Sequence, residues 1–172
     1  ALIFMKSPAN SQLPNGPMMS ISVRGNRFSH DLIAKSGEFV VNLVDEAHCK
    51  ALDFCGVRSG RDVDKWQECH LTPMPALNME YAPAIAECPA YLACKVVQQL
   101  ELGSHTMFVG KIVGVQVRDD LFAADGSLHL EKAGLVTYTH GTYQKAADVL
   151  GFFGYSVARP EVLKRRMDAL TK

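Results

Sequence analysis

"AYLACKVVQQLELGSHTMFVGKIVGVQVR", residues 90–118, contains two long runs of strand-forming residues that meet at Gly103 and Ser104. The runs 90–103 and 105–118 read as two β-strands joined by a tight hairpin connection. Long antiparallel strands must hide their edges, so the pair predicts a closed or split β-barrel.

The flanking segments fit that frame. Upstream, "PMMSISVR" (17–24) alternates and is rich in β-formers, which predicts a strand. "SHDLIAKSG" (29–37) predicts a short helix with Ser29 as N-cap, Asp31 in the first turn and Gly37 as the stop. "EFVVNLV" (38–44) predicts a second strand and "DEAHCKALDFCG" (45–56) a second helix, while "RDVDKWQEC" (61–69) is a short helix or a turn-rich segment. Downstream, "GLVTYTHGTYQ" (134–144) supplies one or two more strands, and "RPEVLKRRMDALTK" (159–172) opens on Pro160 as a C-terminal helix. No repeat, low-complexity tract or linker interrupts the chain. The expected fold is a single domain over residues 1–172, mainly β (α+β), in which strands dominate and small helices flank them.

The 172 residues suffice for one sizeable core. With 18 Lys and Arg against 18 Asp and Glu, no overall field draws the protein to nucleic acid or an acidic membrane. No run of eighteen apolar residues is present, so no transmembrane helix is expected, and "ALIFMKSP" lacks the basic start of a signal peptide. Five cysteines, Cys49, Cys55, Cys69, Cys88 and Cys94, form no C-x-x-C pair, which predicts buried thiols in a reducing, cytoplasmic setting and no metal site. Rossmann, P-loop, nucleophile-elbow and H-E-x-x-H motifs are all absent.

Two stretches carry candidate chemistry. In "SISVRGNRFSHDLI" (20–33), Arg24, Arg27 and Ser29 stand where a strand passes into a helix. They are either a solvated basic corner with a helix cap or a seat for an anion, since a helix N-terminus offers free N–H groups and a positive dipole end. "GVRSGRDVDKW" (56–66) is either a solvated loop or a flexible one whose N–H groups, Ser59 and Lys65 close on a phosphate. In the second case Asp62 and Asp64 would hold Arg61 or Lys65 in position.

These segments, followed by "APAIAECPAYLACKV", "LELGSHTMFVGKIVGVQV" and "VTYTHGTYQ", occur in the order seen in flavin reductase-like, FMN-binding split-barrel proteins. The chain resembles the flavoredoxin branch over residues 17–157, and S-G-R-D-x-D-K is the most specific element. The resemblance implies a homodimer with FMN held non-covalently near the dimer interface. It implies a hydroxyl contact from Ser29 and a cationic one from Lys65. Ser22, Arg24 and Arg27 would line the strand and turn, and Ser59, Gly60, Arg61 and Asp62 would shape the loop. By spacing alone His105 is a polar turn residue; the resemblance instead places it over the flavin ring or beside a nicotinamide. His140 and Tyr143 are weaker candidates for the pocket wall, and Cys55 is assigned to the core rather than the cofactor.

The family pattern begins with one more strand and then a strand under the flavin, for which "ALIFMKSP" is the candidate, with Met5 where an aromatic is common. The first strand has no counterpart in the sequence, and its loss would leave an unpaired edge, so a preceding segment is expected. The implied activity is an FMN-dependent oxidoreductase that passes electrons from NAD(P)H to an acceptor. The alternatives are an electron carrier reduced by a protein partner and a flavin-binding protein without turnover.

Overall fold

In the computed structural model, which describes residues 3–4, 16–146 and 148–170, the long hairpin forms the centre of the fold. Strands β6 (Ala90–Glu101) and β7 (His105–Val117) pair antiparallel, with Gly103 at φ 73° in the two-residue connection and Leu102 N–H donating to the His105 carbonyl at 2.8 Å. Strands β1 (Ile3–Phe4), β2 (Met18–Arg24) and β3 (Glu38–Leu43) complete a five-stranded antiparallel sheet in the order β1-β2-β7-β6-β3. The pairing of β6 with β7 shifts register between Ala93 and Cys94 and again between Val96 and Gln98. Such bulges bend a strand and increase its twist, so the sheet curls.

One face of the curled sheet holds Met19, Phe39, Leu92, Cys94 and Phe108, packed with Ile33 from helix α1 (Phe28–Ser36). The other face is covered only in part. Over β3 and β6, residues 72–88, including the small pair β4 (Pro73–Met74) and β5 (Ala84–Ile85), pack Ala76 and Ala84 against Tyr91 and Ala93 of β6 as a second cluster. Polar pins hold this segment. The Glu38 carboxylate accepts from the N–H groups of Glu80, Tyr81 and Ala82, Asn42 Oδ1 accepts from Ile85 N–H, and Tyr91 Oη accepts from Leu77 N–H. The β4–β5 pair carries no alternating pattern long enough to read as strands, so it was not among the expected elements.

The helices are short, as expected, with shifted boundaries. Residues 46–48 form a single 3-10 turn capped by Asp45, and helix α2 (Cys49–Val57) follows. Helix α3 (Lys65–Glu68) is one turn. A hairpin of β8 (Val136–Thr139) and β9 (Thr142–Lys145) and helix α4 (Pro160–Leu170) complete the described chain. Gly37 ends α1 as expected, at φ 69° with its N–H on the Ile33 carbonyl. The start of α1 differs. Arg27, not Ser29, is the N-cap residue, because a turn over residues 24–27 (Arg27 N–H to Arg24 carbonyl, 3.0 Å) brings the chain round two residues earlier.

Candidate functional site

The turn after β2 leaves the N-terminus of α1 facing the segment that joins α2 to α3. Between them lies a cleft of about 1030 Å³. Ile21 and Val23 of β2 and Leu32 and Ile33 of α1 give it an apolar wall. Alternation along β2 decides which of its residues take part: side chains at 21 and 23 face the cleft, so 22 and 24 face away. No side chain caps the first N–H groups of α1. Arg27 and Ser29 stand at that end, and Arg58, Ser59, Gly60, Arg61, Asp62 and Lys65 stand across from it. The sequence reading of two basic stretches therefore converges on one cleft.

The loop is built against α1. A Cβ at Gly60 would lie 3.0 Å from Cδ1 of Phe28, so glycine lets the loop approach the ring closely, and a larger residue would have to shift the ring by a few tenths of an ångström. Arg61 lies over the Phe28 ring, 5.1 Å from its centroid, and donates to the Asn26 carbonyl at 3.2 Å and to Asp31 Oδ2 at 2.5 Å. Ser59 accepts from Arg61 N–H at 3.2 Å through its hydroxyl. Lys65 donates from Nζ to the Cys55 carbonyl at 2.6 Å, tying α3 to α2. The expected roles of two aspartates are corrected here. Asp64 caps α3 by accepting from Trp66 and Gln67 N–H, and it is Asp31 that holds Arg61. Among the described residues, no side-chain partner stands against the Arg27 guanidinium.

Other candidates lie elsewhere. Arg24 pairs in register with His105 and Ser22 with Met107, which puts Ser22, Arg24 and His105 together on the sheet face away from the cleft. The His105 ring meets the Ser104 hydroxyl through Nδ1 at 2.8 Å. Tyr143, on β9, donates to Asp53 of α2 at 3.1 Å; burial and that carboxylate push its phenol above the usual range. His140 occupies the β8–β9 turn at φ 46°. Met5 lies outside the described residues. Cys55 was assigned to the core but lines the cleft half-buried, its thiol pushed up by burial and by Cys69 beside it. Of the five thiols Cys94 is fully buried and the other four are half-buried; burial pushes Cys88 and Cys94 up to about 11.

Three contributors escaped the sequence reading. Arg58 lies in the same short loop as Arg61, so its signal was available. Phe28 gave none, because its contact with Gly60 joins residues on separate elements. Trp66 was visible only as the end of the loop.

A model of the flavin reductase like domain matches residues 10–147. The chain belongs to the flavin reductase-like family. Its fold is the split barrel of that family, with a few small helices. The flavoredoxin of Methanosarcina acetivorans is 26% identical, with a TM-score of 0.74 over 91% of this chain and 81% of that one. The flavoredoxin of Desulfovibrio vulgaris (Miyazaki F) is 27% identical, with a TM-score of 0.73 over 79% of this chain and 73% of that one. A 4-nitrophenol 4-monooxygenase/4-nitrocatechol 2-monooxygenase reductase component from Rhodococcus opacus is 27% identical over 110 residues, 64% of this chain. The chain spans less than two thirds of the length of the curated relatives it matches, 55% in that case and 40% to 62% across the others.

Proposed function

We propose that the cleft holds the phosphate end of FMN and that the protein is an oxidoreductase passing electrons from NAD(P)H through the flavin to an acceptor. The observation that carries this reading is the uncapped start of α1, with Arg27 and Ser29, set across an apolar-walled cleft from a loop bearing Arg58, Arg61 and Lys65. The donor set fits a phosphate: N–H groups at a positive helix end, a hydroxyl and guanidinium groups are what a charged phosphate binds. Ile21, Val23 and Trp66 suit an apolar or aromatic body attached to it. When bound, the flavin supplies the two-electron redox chemistry; the protein supplies binding, orientation and electrostatics. Arg27 and Ser29 bind the anion, the loop from Arg58 to Asp62 encloses it, and Lys65 keeps α2 and α3 in place around it. The family resemblance assigns the pyridine nucleotide to His105, held by Ser104; because His105 lies on the sheet face away from the phosphate cleft, this role requires the ring end of the flavin to reach past the hairpin. The family resemblance also supports a homodimer.

Arg27→Ala tests the anion seat. A charge-assisted hydrogen bond is worth about 1.5–3 kcal/mol, so FMN affinity should fall roughly ten- to over a hundredfold. Riboflavin, which has no phosphate, should bind as before in a fluorescence titration. Equal loss for both flavins would place Arg27 outside the phosphate seat.

A second reading follows from the two flavoredoxin neighbours: an electron carrier reduced by a protein partner. Anaerobic addition of NADH and then NADPH to the flavin-loaded protein separates the two. Bleaching of the flavin band supports the reductase, and a band that only dithionite bleaches supports the carrier.

A further inference from the structure

His30 follows Ser29 on α1 but takes no part in the cleft wall. It turns instead to β7, where Nε2 lies 2.9 Å from Thr106 Oγ1 and the ring meets Phe108 edge-on at 5.5 Å. Thr106, only 2% exposed, donates its single hydroxyl proton to the Glu101 carboxylate, at 3.0 and 3.1 Å to the two oxygens. A carboxylate only accepts, so the Thr106 oxygen must be the acceptor toward His30. That assigns the neutral imidazole its Nε2–H tautomer and leaves Nδ1 with a bare lone pair. Nδ1 is buried and has no hydrogen-bond partner among the described residues. The nearest charge is Asp31 Oδ1 at 3.5 Å, and the other oxygen of the same carboxylate holds Arg61.

We propose that His30 is a positioning residue for the anion end of the cleft: by taking a proton at Nδ1 it draws Asp31 away from Arg61 and frees that guanidinium for the flavin phosphate. The proposal rests on the reading of the cleft as a flavin-nucleotide site. A buried unpartnered nitrogen is a costly arrangement, and a proton there relieves it by making a charge-assisted bond to Asp31. The charged groups facing His30 are Asp31 on its own helix, Glu101 on β6 through Thr106, and Arg61 on the loop through Asp31. From β7 it meets Thr106 and Phe108, which do not titrate. Arg61 keeps the Asn26 carbonyl and the Phe28 ring when Asp31 turns, so it stays in place while losing its neutralising partner. The sign is set by this competition. Neutral His30 leaves Arg61 paired, and protonated His30 releases it as pH falls.

The test measures FMN and riboflavin binding at pH 8 and pH 5.5, across the span in which an imidazole takes up its proton (about pH 8 to 5). The proteins are wild type, His30→Gln and Asp31→Asn. The phosphate of FMN loses charge over the same span, but that change belongs to the ligand and cancels in the comparison. At pH 8, wild type and His30→Gln should bind FMN alike. At pH 5.5 wild type should bind FMN about three- to fivefold more tightly than His30→Gln, the scale of an exposed ion pair, with the two proteins binding riboflavin alike. Asp31→Asn should already show the tighter FMN binding at pH 8. A ratio of wild type to His30→Gln that is the same at both pH values overturns the proposal, as does riboflavin following FMN. In ligand-free wild type, the NMR signals of the His30 ring and the Arg61 Nε–H should titrate together, and in Asp31→Asn the Arg61 signal should stop responding. Independent titration of the two overturns the coupling even if His30→Gln does not fold. Joint titration with no binding of either flavin would instead remove the flavin reading and leave the coupling standing.

Discussion

Glu38 carries a carboxylate into the interior, 6% exposed, where it meets three backbone donors. Burial pushes its carboxyl up, but the N–H groups of Tyr81, Ala82 and Glu80, with Lys95 at 3.9 Å, outweigh that and hold it below the usual range. A folded value lowered below the unfolded one gives stability that is present above the ordinary glutamate value, about 4.3. That stability is lost as pH falls through the folded value. Glu38→Gln should therefore lower unfolding free energy at pH 7 by about 1.5–3 kcal/mol. Urea melts repeated down to about pH 3 should show the gap to wild type closing in acid. A gap independent of pH would mean that Glu38 contributes shape rather than charge. At the same scale, His105→Ala should keep most of its FMN yet slow anaerobic reduction by NAD(P)H at least about tenfold, roughly 1.4 kcal/mol of barrier. Dithionite should still bleach the mutant fully, and unchanged reduction kinetics would leave His105 as a turn residue.

Strand β7 joins the two apolar clusters, and its glycines show how closely. A Cβ at Gly110 would stand 2.7 Å from two atoms of the Phe39 ring and 3.0 Å from Cys94 Cβ. A Cβ at Gly114 would stand 2.7 Å from Leu77 Cβ and 2.9 Å from the Leu77 carbonyl oxygen. Added volume in a packed interior costs about 1–3 kcal/mol. Gly110→Ala should lower the unfolding free energy by that measure, and pairing it with Phe39→Leu should recover part of the loss by vacating the ring's space. No recovery in the double mutant would locate the strain elsewhere. Helix α1 works in the opposite sense. Its first turn is left without a side-chain cap, which forgoes roughly 1 kcal/mol of helix stability. The residues of that turn, Arg27, Phe28 and Ser29, line the cleft.

At the scale of the whole molecule, one face of the sheet carries the main core and the cleft beside it, and the other is covered over β3 and β6. Over β2 and β7 the outer face presents Ser22, Arg24, His105 and Met107 without a covering segment among the described residues. A second copy is the expected cover, since symmetric pairs are the commonest assemblies. Light scattering of this chain at micromolar concentration should give twice 18.9 kDa. Met107→Glu should return the single-chain mass with unchanged circular dichroism. A wild-type monomer that binds FMN tightly would show that the flavin needs no partner.

The sequence alone determined the main strands, the short helices and the two stretches that could carry chemistry. Alternation marked β2, β3 and the long hairpin, Gly37 and Pro160 marked helix ends, and charge marked the two basic stretches around Arg27 and Arg61 that line one cleft. These signals are local, because a period of two, a turn residue and a charge are each written within a few neighbouring positions. Only the tertiary structure decided which candidates share a space. The pleat of β2 sends Ile21 and Val23 to the cleft and Ser22 and Arg24 to the other face, and no composition or spacing states which face will be covered. The partners of the charges were equally hidden. Asp31 holds Arg61 across 30 positions, His30 reaches Thr106 across 76, and Glu38 collects its donors 42 to 44 residues away. Such pairings depend on how the sheet curls and on where residues 72–88 come to rest, and the many weak contacts that settle both are distributed over the whole chain.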